Sequence, residues 1–368
     1  MGKQDIKSLT LTELEAALAA LGQPRFRAKQ VYGWLHQKWV DSFAQMSNLP
    51  AALREQLDGL YYINAIRIQK KLVSQIDGTV KYLYGLRDGN CIEAVLMQYH
   101  HGRSLCISTQ VGCRMGCKFC ASTLAGRVRN LTASEMLDEV YTAQKDCGER
   151  VDSLVLMGIG EPLDNFKNVM AFLKILSSPE GLNLSLRHVS LSTCGLVDKI
   201  YELAREKLQL TLSISLHAPN DAIRDLSMPV NKKYNMEQLL KACRDYFAIT
   251  GRRISFEYAL IAGVNDAPEH ARELAGRLRG MGAHVNLIPV NPVAETGFRR
   301  GDRSSVERFR AQLESLGVNA TVRRELGADI AAACGQLRRQ EGAAFAGEKG
   351  FDDMAEQKMD QVSSSLGE

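Results

Sequence analysis

Cys113-Arg-Met-Gly-Cys117-Lys-Phe-Cys120 sets three thiols at C-x3-C-x2-C spacing within eight residues. As thiolates, three sulfurs that close can converge on one metal centre. A structural zinc site or an ordinary ferredoxin cluster takes four protein ligands. Three thiols therefore point to an iron-sulfur cluster with one iron open, and an open iron is a place for chemistry. The plainer reading is three small buried hydrophobes. Against it, Gly112 and Gly116 mark a loop, and Arg114 and Lys118 make that loop polar.

The run, with Phe119 before its third cysteine, resembles the cluster motif of the radical S-adenosylmethionine (SAM) enzymes. Its flanks narrow the likeness: Cys106-Ile-Ser-Thr-Gln-Val-Gly-Cys113, Arg129-Asn-Leu-Thr132 and Ala332-Ala-Cys334-Gly-Gln-Leu337 resemble the RlmN/Cfr family of RNA adenine methylating enzymes. The likeness runs from about Glu93 to Leu337 and more loosely through the N-terminal segment.

That resemblance implies a set of roles. Cys113, Cys117 and Cys120 would hold a [4Fe-4S] cluster whose open iron binds SAM. Gly158-Ile-Gly160-Glu161-Pro resembles the glycine-glutamate loop that holds the methionine amine. Glycine allows close backbone approach there, and a carboxylate suits an ammonium group. Ser192, Ser215, Leu216, His217 and Asn291 match the other SAM contacts, Cys334 the methyl-carrying cysteine, Cys106 the resolving cysteine and Glu93 the base. The family mechanism consumes two SAM per turnover. One methylates Cys334; a radical from the second takes a hydrogen from that methyl, and the methylene adds to the adenine. Proton loss to Glu93 and attack of Cys106 on the sulfur then free the RNA and leave a Cys106–Cys334 disulfide.

The substrate implied is an adenosine of the 23S rRNA peptidyl-transferase centre, together with the tRNA adenosine beside the anticodon, methylated at carbon 2. Cys120-Ala-Ser-Thr123 favours carbon 2 over the Cfr-like carbon 8. An electron donor such as flavodoxin is also implied. Two readings from other classes compete: an activating enzyme acting on a protein, which needs neither Cys106 nor Cys334, and a non-enzymatic zinc protein that binds RNA. Cys91, Cys147, Cys194 and Cys243 match no role and are read as structural.

The elements that must position these residues are legible in outline. With 368 residues, 45% hydrophobic and 24% charged, the chain can bury a large core. It holds no apolar run of 18 residues, and Ile6 stands where myristoylation needs Ser or Thr, so a cytoplasmic protein without a membrane anchor is expected. Nine cysteines around one loop suit metal and redox use better than a disulfide framework. The net charge is +4; the six acidic and two basic residues from Ala343 onward carry −4, leaving +8 on residues 1–342. A basic body fits a nucleic-acid partner.

Residues 8–60 read as helices, opened by the capping box Thr10-Leu-Thr-Glu13. There Arg25, Arg27, Lys29 and Lys38 interleave with Phe26, Tyr32, Trp34 and Trp39, either to grip RNA or as a core face backed by a solvated one. Arg127 and Arg129 are placed to guide phosphates or simply to face water. Val80–Tyr84 and Glu93–Met97 suggest strands. From Ser104 six strand-helix units follow, which demand a parallel sheet with right-handed crossovers. The expected fold is α/β, either a doubly wound sheet or a partial (β/α)6 TIM-like barrel; the family resemblance implies the barrel, preceded by a helical and small-β accessory domain. We expect the boundaries 1–95, 96–342 and an acidic, disordered tail at 343–368. Ligands of such a sheet sit at the carboxyl ends of its strands, where Gly158–Pro162, Ser192–Gly195, Ser215–His217 and Asn291 all fall.

Overall fold

The computed structural model describes residues 2–291 and 297–337. The expected acidic tail lies outside them. The chain opens with β1 (Gln4–Asp5), α1 (Leu11–Ala20), α2 (Phe26–His36), α3 (Ala51–Leu60) and β2 (Tyr61–Tyr62). An antiparallel run follows: β3 (Arg67–Val73), β4 (Val80–Gly85), β5 (Cys91–Tyr99) and β6 (Gly102–Cys106). A hairpin of β7 (Gln110–Gly112) and β8 (Arg127–Asn130) then leads into α4 (Ala133–Cys147). The rest alternates: β9 (Ser153–Leu156), α5 (Phe166–Ser177), β10 (Val189–Thr193), α6 (Val197–Arg205), β11 (Thr211–Ser215), α7 (Asp221–Ser227), α8 (Met236–Thr250), β12 (Ile254–Leu260), α9 (Pro268–Leu278), β13 (His284–Pro289), α10 (Arg303–Ser315) and β14 (Asn319–Val322).

Strands β6 and β9 through β14 are parallel neighbours, and β5, β4 and β3 extend the same sheet antiparallel from the β6 side. The six expected strand-helix units are all present. The sequence pattern missed β14 and α7, each too short to show a period, and β3, whose residues are mostly exposed. Position 95 lies within β5, so the small-β element is continuous with the barrel sheet.

Both sides of the molecule share one core. Leu14, Leu18, Tyr32 and Leu35 from the first helices join Met136 and Tyr141 of α4 in it. The capping box at Thr10 forms as the sequence predicts, with Glu13 reaching back to the Thr10 amide. A buried ion pair adds to the joint: Lys7 Nζ lies 2.7 Å from Asp138 on α4, whose other oxygen accepts from Asn64 at 2.9 Å. Of the aromatic residues of residues 25–39, Tyr32 is buried, Trp39 stacks on Tyr141 at 5.5 Å, and Phe26 stays exposed. The basic side chains there are engaged as well, Arg25 with Glu15 and Lys29 with Glu180. No helix among the described residues is long and apolar enough to cross a membrane.

Candidate active site

The hairpin β7–β8 encloses residues 113–126, which carry all three motif cysteines. Gly112 closes the hairpin neck at φ +74°, and a Cβ there would lie 1.8 Å from the Gly126 carbonyl oxygen, so no other residue fits. Local hydrogen bonds hold the loop: Cys113 N–H donates to Ser122 O at 3.1 Å, Cys120 N–H to Cys117 O at 3.1 Å, and Thr123 Oγ1 to Cys120 O at 2.9 Å. Burial pushes the Cys113 thiol up to about 12 and also raises Cys117 and Cys120. Such a site ionises only around a cation. Among the described residues no group of His, Cys, Asp and Glu is arranged to hold a single metal ion.

Cys113, Cys117 and Cys120 line a cavity of about 160 Å³ at the carboxyl ends of the strands. Its other walls include Gly158, Gly160, Glu161, Ser192, Ser215, His217, Asn291 and Cys334. Gly160 has φ +112°, with an added Cβ only 2.8 Å from the Gln110 amide nitrogen. The Glu161 carboxylate accepts from Leu163 N–H at 3.1 Å and Cys194 N–H at 2.8 Å, which orients it across the ends of two strands. Ser192 and Ser215 touch at 3.4 Å on neighbouring strands. His217 sits in the left-handed region at φ 57°, an uncommon backbone for a non-glycine residue. Its Nδ1 accepts from Ala259 N–H at 2.9 Å, which leaves the proton on Nε2, and burial drops its pKa to about 3, so the ring is neutral. Phe119 of the cysteine loop meets that ring edge-on at 4.8 Å.

The second sulfur wall comes from far along the chain. Cys334 lies in a turn, and it lines both the cluster cavity and a smaller adjoining one of about 40 Å³ that Cys106 also lines. Burial, and then the nearby Cys334, push the Cys106 thiol up to about 12. Long-range bonds strap the Cys334 turn in place. Asn291 Nδ2 donates to Cys334 O at 3.0 Å, Ala121 N–H to Gly335 O at 2.8 Å, and Ser122 Oγ to Leu337 O at 2.6 Å. On the other side, Lys81 Nζ donates to Ala331 O at 3.1 Å and Ser74 Oγ to Asp329 at 2.6 Å.

Two expected residues stand apart from the cavity walls. The Leu216 side chain is buried in the core, with its amide donating to Glu257 O and its carbonyl accepting from Arg224. Glu93 is 1% exposed and faces the same side of β5 as Val95 and Met97, which line the smaller cavity. It pairs with Lys81 at 2.9 Å, beside the Cys334 turn rather than inside the cavity. Arg129 and Arg127 are likewise occupied, Arg129 by Glu135 and Asp88, Arg127 by Asn130 and Asp164. In the first pair Glu135 also completes the capping box of α4 at Thr132.

The structure adds residues that sequence patterns missed. Cys194, read from sequence as structural, lines the cluster cavity, as do Met157, Glu257 and Arg323. Arg224 is fully buried and donates to the carbonyls of Cys194 at 2.7 Å and Ser215 at 3.2 Å, tying two strand ends together. None of these lies in a run whose spacing marks a ligand; only position at the strand ends could have suggested them.

A partial barrel with a three-thiol loop, a glycine-lined cradle and polar strand ends around one cavity defines a radical SAM enzyme. The comparisons agree: residues 107–275 match the model of the Radical SAM superfamily, and residues 4–63 that of the ribosomal RNA large subunit methyltransferase N-terminal domain. The chain is 55% identical over 340 residues to a probable dual-specificity RNA methyltransferase RlmN of Alkaliphilus oremlandii, covering 92% of this chain and 99% of that one. It is 52% identical over 337 residues to one from Lachnoclostridium phytofermentans, covering 92% and 95%. A solved radical SAM methyltransferase from Sphaerobacter thermophilus superposes with TM-score 0.85 at 43% identity, over 91% of this chain and 99% of that one. The chain belongs to the RlmN family of radical SAM RNA methyltransferases. Its cofactors are a [4Fe-4S] cluster and SAM.

Proposed function

We propose that this enzyme methylates carbon 2 of an adenosine in the peptidyl-transferase centre of 23S rRNA and of the tRNA adenosine beside the anticodon, working in the cytoplasm with an electron donor such as flavodoxin. The observation that carries this reading is the placement of Cys334 on the wall shared by the cluster cavity and the Cys106 cavity. A base whose target carbon is electrophilic cannot take a methyl cation directly, so a radical route is required, and Cys334 stands where it can carry the methyl.

When bound, the cluster and SAM supply a carbon-centred radical. Cys113, Cys117 and Cys120 hold the cluster, while Gly160, Glu161, Ser192, Ser215, His217, Asn291 and the Leu216 backbone position SAM. His217, kept neutral, offers Nε2–H as a donor. Cys334 carries the methyl group as a thioether. Glu93 takes the ring proton once the new carbon–carbon bond exists, which requires it to exchange its Lys81 contact for substrate. Cys106 then attacks the Cys334 sulfur; that bond forms as the sulfur–carbon bond to RNA breaks. The basic helical segment within residues 1–95 receives RNA, and 96–342 is the catalytic unit.

The test is purified, anaerobically reconstituted enzyme on unmodified ribosomal RNA and tRNA, with nucleoside digests analysed by mass spectrometry. 2-Methyladenosine in both is expected. 8-Methyladenosine alone would make the enzyme Cfr-like.

A further inference from the structure

Among the described residues, Glu257 and Glu161 are the carboxylates that line the cluster cavity. Both Glu161 oxygens accept from backbone amides, which cannot give up a proton and take it back. Glu257 differs. It is buried, and it lines a second cavity as well, one of about 600 Å³ at the opposite, amino-terminal mouth of the barrel. From it a hydrogen-bonded file runs outward: Glu257 Oε1 to Ser255 Oγ at 3.1 Å, Ser255 Oγ to His284 Nδ1 at 3.3 Å, His284 Nε2 to Thr321 Oγ1 at 2.9 Å. Thr321 is exposed. Asn286 Nδ2 fixes the other Glu257 oxygen at 2.8 Å.

Every member of this file can both donate and accept. With hydroxyls turned one way, Thr321 donates to His284, His284 to Ser255 and Ser255 to Glu257. Once Glu257 is protonated, rotation of the two hydroxyls and a change of imidazole tautomer reverse the direction. A purely structural file of serines would not need an imidazole in the middle.

We propose that Glu257, Ser255 and His284 form a proton relay that carries the thiol proton of Cys334 out through the barrel floor when that sulfur is methylated. The inference rests on Cys334 being the methyl carrier. In the step, the Cys334 S–H bond breaks and its proton passes to Glu257 across the shared cavity. The sulfur lone pair bonds the methyl carbon of the SAM sulfonium, and that carbon's old bond to sulfur breaks, releasing a neutral thioether. The proton leaves by Ser255, His284 and Thr321. The groups facing the relay are cationic or neutral: Arg252 and Arg253 before β12, Arg323 and Arg324 after β14, and Tyr99. Burial and then Arg253 lower the His284 pKa, so its ring is neutral and ready to accept.

The experiment follows methyl loading of Cys334 in RNA-free reconstituted enzyme by peptide mass spectrometry across pH 6–9. Loading in Glu257→Gln and His284→Ala should be slower by on the order of 10²-fold, the usual share of a general base. Imidazole in the buffer should restore His284→Ala and leave wild type unchanged, a response that no structural role predicts. Ser255→Ala, which removes one oxygen, should also slow loading. Independently of both cofactors, Glu257→Gln should slow the alkylation of Cys334 by iodoacetamide, because the group that takes the thiol proton is gone. Equal loading rates with equal alkylation rates would overturn the relay and leave the methyl carrier standing. No loading of Cys334 in wild type would overturn the methyl carrier and the relay with it.

Discussion

The loop at 113–126 and the turn at 327–337 each bring cysteine sulfur to the same cavity, and they are held there by different kinds of bond. In the loop bonds between near neighbours, as from Thr123 to Cys120, are joined by long-range anchors such as Lys118 N–H to Ser227 O. In the turn they span 215 residues from Ser122 to Leu337, 250 from Lys81 to Ala331 and 255 from Ser74 to Asp329. A local loop forms with little closure entropy, whereas a distant strap persists only while the whole sheet is intact. The cluster site should therefore tolerate distant damage better than the sulfur-transfer site.

The largest effects fall on the sulfurs themselves. Cys113→Ala should remove the brown absorbance near roughly 400 nm after reconstitution and all activity with it. Cys334→Ala should abolish RNA methylation yet leave reductive cleavage of SAM, and Cys106→Ala should accumulate a protein–RNA crosslink visible on denaturing gels. RNA methylation surviving in Cys334→Ala would erase the distinction between the two regions.

Next comes the strap. Lys81→Met takes the cation from a buried pair with Glu93, in which both side chains are at most 9% exposed, and removes the bond to Ala331. Breaking a buried pair costs about 3–5 kcal/mol, measurable by urea unfolding. Methylation should fall further than SAM cleavage in this variant; equal losses would mean the two regions are not separately held.

Acid sharpens the comparison from another side. Burial lowers His36, beside Tyr141, and His217, in the cavity, to about 3 from the ordinary 6.5. The unfolded chain then binds protons first, so stability is complete above about pH 6.5 and falls as pH drops toward 3. Each histidine contributes a slope of about 1.4 kcal/mol per pH unit in that window. His36→Gln should roughly halve the combined slope; an unchanged slope in pH-dependent unfolding would show that other groups dominate. The smallest effect belongs to Ser122→Ala, which removes the hydroxyl on Leu337 O and should cost about 1 kcal/mol of stability.

Legibility in the sequence followed the same divide. The barrel strands β9 through β13, their helices and the capping box at Thr10 were readable because period and caps act over a few residues. So was the cysteine loop, glycine neck included. The aromatic run at 26–39 was ambiguous, since the same rings serve a core or an RNA surface; burial of Tyr32 and the stacking of Trp39 on Tyr141 assign those two to the core, while Phe26 stays exposed. Glu93 and Leu216 were found by resemblance; Leu216 is buried in the core, and Glu93 lies beside the Cys334 turn, paired with Lys81.

By itself the amino-acid order marked Cys113, Cys117 and Cys120 as the candidate ligand set and determined the alternation that builds a parallel sheet, because both depend on spacing within one turn or one unit. It did not determine that Cys334 would lie between Cys106 and the cluster loop, or that Glu257, Ser255, His284 and Thr321 would align through the barrel floor. Those neighbours come from four strands, a loop and a turn brought together by the register of the sheet and the packing around it, and both are properties of the whole core.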